Sequence, residues 1–348
     1  MTASAVLRVR RAGPLVTFQD GGRAGLMRFG VPESGPMDRF AHAAANIALG
    51  RQAASTAIEI SLGGLAVTCS SAPVTIAVCG GGFVVDHAGE QCTPWAVRSL
   101  VPGDTLTVSA GAWGSWCYLG VAGDLVAQRW MGSTSTHVRS NLGGGVVQAG
   151  DDLVIDGPEV DLARNGPIEQ PAIATPANQL RVVLGPQLEC FGPDTPATLL
   201  NHAYRLSNVY DRMGVRLDGP NLYLVNALAL PSTPIVRGSL QVAGDGVATL
   251  LFADHQTTGG YPQIATVISS DVARASQLRS GDSVRFVAVD PANAINAVRA
   301  ATTERARQLL AIAERPGLVT QRLLATNLVG GVFDHRPARQ QTQQGHAQ

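Results

Sequence analysis

Short runs of apolar and β-branched residues recur along most of the chain, and glycine, proline or small polar residues end each of them. Nine such runs are "LAVTCS", "VTIAVCG", "TLTVSA", "WCYLGVAG", "LVID", "LRVVLG", "ATLLFA", "ATVISS" and "VRFVAV". Runs of this length and composition are typical of strands joined by tight turns. The pattern therefore predicts a mainly β fold with a few helices.

Gly-Asp pairs precede three of the predicted strands, in "PGDTLTV" at 102–108, "AGDDLVI" at 149–155 and "SGDSVRF" at 280–286. Both residue types tolerate the dihedral angles of turns, so the repetition predicts three similar turns without a functional role. Residues 60–85 contain no charge, but Pro73 and five glycines interrupt them. This composition predicts two buried strands with turns, and it argues against a membrane-spanning helix.

The segment "ESGPMDRF" predicts the start of a first helix. Ser34 or Gly35 would cap it, Pro36 would take its first position and Asp38 would lie in its first turn, where the helix dipole favours an acid. Gly50 would end this helix.

A second helix would begin after Asp290, with Pro291 at its first position, and stop at Pro316. Its apolar spacing predicts five positions that face inward, namely Ile295, Val298, Ala306, Leu309 and Ile312.

The segment 157–178 is rich in proline and weakly periodic, so we place a domain boundary there. The predicted organisation is an N-terminal β-rich domain over 1–165, a second β-rich domain over 175–290, a C-terminal helix over 291–316 and a disordered polar tail over 332–348.

Charged residues make up only 15% of the chain, and 26 basic residues balance 26 acidic ones. This balance gives no long-range field toward nucleic acid or an anionic membrane, so neither is expected as a partner. All the basic residues are arginine, and lysine does not occur. The chain therefore cannot carry a Walker phosphate loop, a pyridoxal-phosphate Schiff base or covalently attached biotin.

Five cysteines occur without a C-x-x-C pair, and the first residues lack an apolar signal core. We expect buried thiols in a reduced, cytoplasmic protein. The seven histidines lack metal-ligand spacing, so no metal site is expected. No G-x-S-x-G elbow occurs, and "CGGGFVV" lacks the last glycine of G-x-G-x-x-G, which disfavours serine hydrolases and dinucleotide-dependent dehydrogenases.

Four clusters of polar residues with glycine lie outside the strand pattern. The first, "TFQDGGRAGLMRFGVPESGPMDRF" at 17–40, gathers Ser34, Asp38 and Arg39 near the start of the first predicted helix. Free backbone N–H groups at a helix start attract an anion or a carbonyl oxygen. The alternative is a structural helix cap with an Asp–Arg bridge, and the residues alone favour that alternative.

The second cluster, "MGSTSTHVRSNLGGG" at 131–145, contains four consecutive hydroxyl-bearing residues at 133–136, then Arg139 and a triple glycine. A binding loop and a plain polar loop are equally consistent with it. The third, "SNVYDRMGVRLDGP" at 207–220, contains Asp211 and Arg212 in a turn. Such a pair is more often structural than catalytic, but arginine can also clamp a substrate anion.

The fourth cluster, "DHQTTGGYP" at 254–262, is the strongest candidate for a ligand site. Asp254 and His255 follow a predicted strand, the usual place for site residues borne by a rigid sheet. The other candidates supply an amide, hydroxyls, close backbone approach and an aromatic face, and they are Gln256, Thr257, Thr258, Gly259, Gly260 and Tyr261. A plain hairpin would need only a two-residue turn, so a binding function is favoured here.

Seven ordered motifs give the chain a family resemblance: "TFQDGGRAG", "FGVPESGPMDRFA", "AIEISLGG", "YLGVAGDL", "MGSTSTHVRSNLGGG", "DRMGVRLDGP" and "ADHQTTGGYPQIATVISSD". Over about residues 6–290 it resembles the family called allophanate hydrolase subunit 2, KipA or the C subunit of 5-oxoprolinase, which is similar to the second half of the carboxyltransferase region in urea carboxylase. The resemblance implies cyclophilin-like β-barrels, with one such barrel formed by the domain over 175–290. It also implies a KipI-type partner, which is the B subunit of 5-oxoprolinase or allophanate hydrolase subunit 1. It often implies a third partner of the LamB/YcsF type, the A subunit of 5-oxoprolinase.

The resemblance leaves three functions open. Members are described as subunits of an ATP-dependent enzyme that opens 5-oxoproline to glutamate, as biotin-dependent carboxyltransferases, and as regulators that bind a KipI-type kinase inhibitor. We favour the 5-oxoprolinase, because a free-standing chain without carboxylase domains fits it most economically. ATP would then bind on the partner or across the interface, since the chain has no Walker motif, and any biotin would come from another chain.

Biotin and 5-oxoproline both contain a five-membered ring with an N–H beside a C=O. A pocket for such a ring would use Arg212 or Arg39 as donor to the carbonyl oxygen, where charge builds up during the reaction. Asp254 or Gln256 would accept from the N–H, and Tyr261 would form a wall. The candidates for catalysis are Asp211, Arg212, Asp254 and Arg39, and the other cluster residues named above would contact the substrate.

Two positions depart from the family pattern. Thr134 stands where many relatives have arginine, and His255 replaces an arginine that is common in relatives. If the missing arginine grips the carboxylate of 5-oxoproline, this chain would rely on Arg139 instead. A histidine at position 255 would make its contact sensitive to pH near neutrality.

Overall fold

The computed structural model describes residues 4–225 and 230–315. Within these ranges the chain is mainly β, as predicted, and its strands form two sheets followed by a closed barrel. The predicted tail at 332–348 and the predicted helix stop at Pro316 lie outside the described residues.

The first two sheets use residues 4–167, and all their strand pairs are antiparallel. The seven-stranded sheet contains, in spatial order, β11 (Asp124–Leu125), β12 (Asp152–Asp156), β1 (Ser4–Ala12), β4 (Leu65–Cys69), β9 (Thr105–Ser109), β6 (Val84–His87) and β7 (Glu90–Cys92). The six-stranded sheet contains β13 (Gly166–Pro167), β8 (Ala96–Leu100), β5 (Val74–Cys79), β10 (Cys117–Val121), β3 (Ala57–Ile60) and β2 (Thr17–Gln19).

Apolar side chains of the two sheets share one core, in which Leu7 and Val67 of the first sheet join Ile76 of the second. The six-stranded sheet is covered on its other face by helix α1 (Arg39–Ala48). Every residue of β5 and β10 is therefore buried, without the alternation expected of a strand with one face in water. This double burial explains the continuous apolar runs "VTIAVCG" and "WCYLGVAG".

The closed barrel follows, and its seven strands are, in order, β14 (Gln179–Leu184), β21 (Gln263–Val267), β18 (Ser239–Val242), β19 (Ala248–Leu251), β16 (Gly214–Asp218), β15 (Ala203–Tyr210) and β22 (Ser283–Ala288). The barrel closes through a parallel pairing of β14 with β22. Strands β17 (Thr233–Pro234) and β20 (Thr258–Gly259) form a separate small pair. The change from sheets to barrel falls in the proline-rich segment, and the predicted domain limits stay a prediction.

Two of the four α-helices within the described ranges were not predicted, namely α2 (Thr195–Asn201) and α3 (Ser269–Ser276). The run "ATVISS" is a strand only as far as Val267, because α3 begins at its last two serines. Both helices are short, and their apolar periodicity is too brief to be distinguished from neighbouring strands and turns.

Helix α1 starts later than predicted. Asp38 is its N-cap, and the Asp38 carboxylate accepts hydrogen bonds of 3.0 Å from the N–H groups of Phe40 and Ala41. The prediction that Ser34 or Gly35 caps the helix was wrong, because the Asp38 side chain satisfies the first free N–H groups instead.

Helix α4 (Pro291–Glu314) begins as predicted, with Asp290 accepting from the N–H of Asn293. Its predicted inward face is only partly buried. Ile312 is buried, but Ile295 is 52% exposed and Ala306 is also exposed. Among the described residues helix α4 contacts α1, α3 and the barrel strand β14, while Ile295 and Leu310 on the same helix are exposed.

The three Gly-Asp turns are confirmed and share one geometry. Gly103, Gly150 and Gly281 have φ values of 99°, 97° and 89°, in the left-handed region that favours glycine. In each turn the aspartate Oδ2 accepts from the N–H three residues earlier, at 2.8 or 2.9 Å. These turns introduce β9, β12 and β22.

The uncharged stretch 60–85 contains strands β4 and β5, as predicted, and reaches the start of β6. Across the two described ranges, the structure offers no helix with the length and apolar character that crossing a membrane requires.

Candidate functional site

A cavity of about 470 Å³ lies against the barrel strands β16, β18 and β19. Four residues predicted for the site line it, from three separate clusters of the sequence: Arg139, Asp211, Gln256 and Tyr261. Cavities of this size suit small ligands, which typically occupy roughly 300 to 1,000 Å³. The structure therefore places cation, carboxylate, amide and aromatic groups around one space.

Arg139 reaches the cavity from outside the barrel, on a single helical turn at 138–140. Its side chain is exposed, and it makes neither a hydrogen bond nor an ion pair within the described part of the chain. A guanidinium without a protein acceptor can clamp a carboxylate or phosphate through two parallel hydrogen bonds.

Asp211 lies in the turn between β15 and β16. Its Oδ1 accepts from the N–H groups of Met213 at 2.7 Å and Gly214 at 3.2 Å. These two bonds fix the carboxylate, while Oδ2 has no hydrogen-bond partner among the described residues. Asp211 thus keeps one oxygen free to accept a hydrogen bond from a ligand N–H.

Gln256 and Tyr261 belong to the loop after β19. Gln256 donates from Nε2 to the Gln241 Oε1 at 3.0 Å, and Gln241 donates from Nε2 to the Tyr261 carbonyl at 3.3 Å. This chain of hydrogen bonds holds the loop across the cavity. Tyr261 is 55% exposed, so its ring is available as a wall for a ligand.

Arg212 occupies a different environment from its neighbour Asp211. Its side chain is 2% exposed, and Nε and Nη2 donate to the two carboxylate oxygens of Asp254, both at 2.9 Å. Nη1 donates to Glu59, and Nη2 also donates to the Gly35 carbonyl at 2.7 Å. Burial alone would lower the pKa of Arg212, but the two carboxylates outweigh it and raise that pKa.

The expected role of Arg212 as donor to a substrate oxygen stays a prediction. In this structure all three of its guanidinium nitrogens already donate to protein oxygens. Asp254 likewise accepts with both oxygens and is buried. Neither residue lines the cavity, although each is next or nearly next in sequence to a residue that does.

The first cluster gathers at the start of α1 and does not line the cavity. Ser34 is 1% exposed with φ of 55°, and Asp38 is buried. Asp38 also accepts from Gln277 at 2.8 Å, and burial raises its pKa. Arg39 forms an ion pair of 2.7 Å with Glu33. Asp38 supplies the helix cap of the structural alternative, but the partner of Arg39 is a glutamate, and the described residues of this cluster form no Asp–Arg bridge.

Asp20 of the first cluster is hydrogen-bonded to residues 133–135 of the second cluster. Its carboxylate accepts from the hydroxyls of Ser133 at 2.6 Å and Ser135 at 2.7 Å, and from the Thr134 N–H at 2.8 Å. Burial would raise the pKa of Asp20, but these hydrogen bonds outweigh burial and lower it. Thr134 is 1% exposed, so its side chain is not available to a ligand in the cavity.

The rest of the fourth cluster lies beside the cavity without lining it. Thr258 and Gly259 form β20, and Thr257 accepts through its carbonyl from the Ile235 N–H at 3.1 Å, while Gly260 follows in the turn. His255 is 2% exposed and contacts the Gln256 carbonyl through Nδ1 at 2.6 Å. Burial lowers the pKa of His255, which moves its titration away from neutral pH and opposes the predicted pH-sensitive contact.

Sequence reasoning missed two buried residues of the Arg212 cluster, Glu59 and Tyr118. Glu59 accepts through Oε2 from the Tyr118 hydroxyl at 2.8 Å, and burial raises the pKa of Tyr118 so that this hydroxyl keeps its proton. A signal for Glu59 was present: it is a single acid inside the apolar strand run "AIEI". A buried charge of this kind requires a partner.

The cysteines and potential metal ligands form no second site in the described ranges. All five cysteines are free, and four are buried. Burial raises the pKa of the four buried thiols, those of Cys69, Cys79, Cys117 and Cys190. No group of three histidine, cysteine, aspartate or glutamate side chains comes close enough there to hold a metal ion.

Residues 29–288 match the family model of the carboxyltransferase domain, subdomains A and B. This match spans well over half of the chain. The chain belongs to this carboxyltransferase domain family. All four residues that line the cavity from the predicted clusters fall within the matched range.

One relative of this chain is the C subunit of the 5-oxoprolinase of Haemophilus influenzae. It is 32% identical over 276 residues, which cover 78% of this chain and 88% of the relative. The resemblance to this family found in the seven motifs is thereby confirmed.

Two solved structures of related proteins have the same fold. The crystal structure of TTHA0988 superposes with a TM-score of 0.72 at 28% identity, covering 81% of this chain and 55% of that one. The Kluyveromyces lactis urea amidolyase gives a TM-score of 0.77 at 25% identity, covering 88% of this chain and 20% of that one. The chain thus spans about half of the first protein and a fifth of the second.

Proposed function

We propose that the chain is a subunit of an ATP-dependent 5-oxoprolinase that opens 5-oxoproline to glutamate together with a KipI-type subunit. The observation that carries the proposal is the shared cavity, in which Arg139 faces the same space as Asp211, Gln256 and Tyr261. The likeness to the C subunit of a 5-oxoprolinase over 88% of that relative supports the choice of reaction.

The chemistry of 5-oxoproline fits these groups. Its carboxylate needs a cation, and Arg139 is an exposed cation without a partner in the described part of the chain. Its lactam N–H needs an acceptor, and Asp211 Oδ2 is free. Its ring needs an apolar or aromatic wall, which Tyr261 supplies. These contacts support Arg139 as the residue that binds the substrate carboxylate, which is the role expected of the arginine that many relatives have in place of Thr134.

ATP would supply the driving force for opening the lactam, and it would bind on the partner or across the interface. This chain would bind and orient the cyclic amide. Asp211 would hold the lactam N–H, so that the ring carbonyl is presented to the partner's side of the complex. The rest of the assembly would be a KipI-type protein together with a third component of the LamB/YcsF type.

A biotin-dependent carboxyltransferase component is the second candidate. The family match to carboxyltransferase domains and the shared fold with a urea amidolyase favour it. The ureido ring of biotin also carries an N–H beside a C=O, so the same Asp211 acceptor and Tyr261 wall would suit it. Carboxybiotin would have to come from another chain, since this one has no lysine.

The test is co-expression with the KipI-type and LamB/YcsF-type subunits, followed by measurement of glutamate formed from 5-oxoproline with and without ATP. We expect glutamate only with ATP, and a strong loss with Arg139→Met. Arg285→Met is the matched control, because Arg285 is also an exposed arginine but does not line the cavity. Absence of glutamate under all conditions, with carboxyl transfer to or from biotin present, would replace the first candidate by the second.

A further inference from the structure

Two turns of the barrel supply the cavity residues Asp211 and Gln256, and they are bonded to each other. The Asp254 N–H donates to the Arg212 carbonyl, and the Phe252 N–H donates to the Met213 carbonyl, both at 2.9 Å. The bidentate Arg212–Asp254 ion pair adds two side-chain hydrogen bonds. The turn at 211–214 and the loop at 252–261 are therefore joined into one unit by four hydrogen bonds.

This unit is anchored outside the barrel by β3 and β10 of the six-stranded sheet. Glu59 on β3 is 0% exposed, and its Oε1 accepts from Arg212. Its Oε2 accepts from the Tyr118 hydroxyl and from the Met37 N–H, both at 2.8 Å. The Tyr118 hydroxyl in turn accepts from the Asp38 N–H at 2.7 Å. Both carboxylate oxygens of Glu59 are thus fixed in direction.

A contribution to folding stability does not by itself explain why charged side chains are buried around Arg212. Replacing a buried ion pair or triad by packed apolar residues is often neutral or stabilising, because removing charges from water costs several kcal/mol per ion. One arginine here lies between two buried carboxylates, so the desolvation cost applies to three groups. Such clusters are best attested where they fix one arrangement of the elements that they join.

The residues that line the cavity come from the same two parts of the chain as the residues bonded to Arg212, the two sheets and the barrel. Arg139 belongs to the chain segment that forms the two sheets, whereas Asp211 and Gln256 belong to the barrel. A ligand that contacts both sides needs the two parts at a fixed separation. The hydrogen bonds from Arg212 to Glu59 and to the Gly35 carbonyl cross between the same two parts.

We propose that Glu59 and Tyr118 are positioning residues for the cavity: through Arg212 they hold the turns that carry Asp211 and Gln256 in register with Arg139. They touch no ligand themselves. The inference rests on the proposed function only for its kinetic readout, since the geometry of the two turns can be followed without substrate.

The experiment compares four variants of the assembled three-subunit complex, with kcat and KM for 5-oxoproline as the first readout. Glu59→Gln and Tyr118→Phe remove the charge and the orienting hydroxyl. Asp271→Asn is the control for a buried carboxylate, since Asp271 pairs with Arg181 at a site that does not line the cavity. Tyr204→Phe is the control for a buried tyrosine, because the Tyr204 hydroxyl has no partner among the described residues.

We expect Glu59→Gln to lower kcat about 10- to 100-fold, as displacements near 1 Å do, and to change KM less. Tyr118→Phe should lower kcat about 3- to 10-fold, since Glu59 keeps its other contacts. Both controls should stay within about twofold of the wild type, because neither touches the two turns. The proposal is overturned if Tyr118→Phe and a folded Glu59→Gln keep the wild-type kcat, or if the controls lose as much activity.

The second readout is hydrogen–deuterium exchange of the purified chain. Faster exchange in both 211–214 and 252–261 for Glu59→Gln, but not for Asp271→Asn, supports the proposal even if the complex has no 5-oxoprolinase activity. In that case the proposed function fails and the positioning role stands. Unchanged exchange in both segments overturns the positioning role whatever the reaction is, and Tyr118→Phe decides the question if Glu59→Gln does not fold.

Discussion

Two arginines near the same cavity are in opposite environments. Arg212 is 2% exposed, and two carboxylates and a backbone carbonyl use its donors. Arg139 is exposed and has no protein partner in the described ranges. Sequence alone gives both the same character, an arginine in a polar turn with glycine. The difference teaches that burial and prior pairing decide whether such a residue holds the protein together or remains available to a ligand.

The largest effect is expected at the buried arginine. Arg212→Met leaves Glu59 and Asp254 buried without their cation, which typically costs about 3 to 5 kcal/mol. Urea unfolding of the purified chain measures this loss, and Arg285→Met should change the free energy of unfolding by less than about 0.5 kcal/mol. A loss below about 1 kcal/mol for Arg212→Met would break the comparison, because Arg212 would then be no more structural than a surface residue.

The free arginine should show the reverse pattern. In its proposed role Arg139 makes a charge-assisted contact with the carboxylate of 5-oxoproline, and such contacts contribute about 1.5 to 3 kcal/mol. Arg139→Met should therefore weaken the binding of 5-oxoproline roughly 10- to 100-fold. The free energy of unfolding should stay within about 0.5 kcal/mol of the wild type. Calorimetric titration of the assembled complex measures the affinity. Unchanged binding together with lost stability would exchange the roles assigned to the two arginines.

His42 extends the comparison to a buried group without an ionic partner. Burial lowers its pKa to about 4, whereas an unfolded histidine titrates near 6.5. Between these values the unfolded chain binds a proton that the folded chain does not. The free energy of unfolding should therefore fall as the pH falls through this window, by about 2 kcal/mol between roughly pH 8 and pH 5 from His42 alone.

In the folded chain His42 Nε2 contacts the Gln19 carbonyl at 3.2 Å, and the amide of a glutamine at this position can donate to the same carbonyl. The check on His42 is urea unfolding at about pH 8, 7, 6 and 5 for the wild type and for His42→Gln. The difference between the two pH profiles isolates His42 from the other titrating groups. Parallel profiles would show that the imidazole is not desolvated in the folded chain.

The smallest effect is expected at the exposed ion pair beside the cavity, whose arginine also lines it. Arg216 and Asp245 are 2.7 Å apart, and their side chains are 40% and 50% exposed. Exposed pairs contribute about 0.2 to 1 kcal/mol, so Asp245→Asn should cost no more than that in urea unfolding. A cost similar to that of Arg212→Met would mean that burial does not separate the two kinds of pair.

Much of the fold could be predicted from the sequence, because local patterns determine it. The Gly-Asp turns, the continuous runs of the doubly covered sheet and the start of α4 each depend on neighbouring residues. Helix α3 could not be predicted, since a helix of 8 residues gives too little periodicity. The start of α1 was misplaced because Ser34, Gly35 and Asp38 are all acceptable caps, and tertiary contacts decide among them.

The candidate site could be predicted only in part. Three of the four clusters of polar residues with glycine contribute to the cavity: one predicted site residue comes from each of two clusters and two from the third. The cluster at 17–40 does not line it. Sequence could not show which member of "YDRM" faces the cavity and which is buried. The Glu59–Arg212 contact joins residues 153 positions apart, so no local pattern encodes it.

The parallel pairing of β14 with β22 fixes an order of events when the chain is made. The two sheets are complete once β13 has emerged, since β1 pairs with β12 and β8 with β13. The barrel cannot close until β22 has left the ribosome, because β14, the first barrel strand, pairs with β22. Non-local closure of this kind is slow, so we expect the sheets to form early in synthesis and the barrel to complete afterwards.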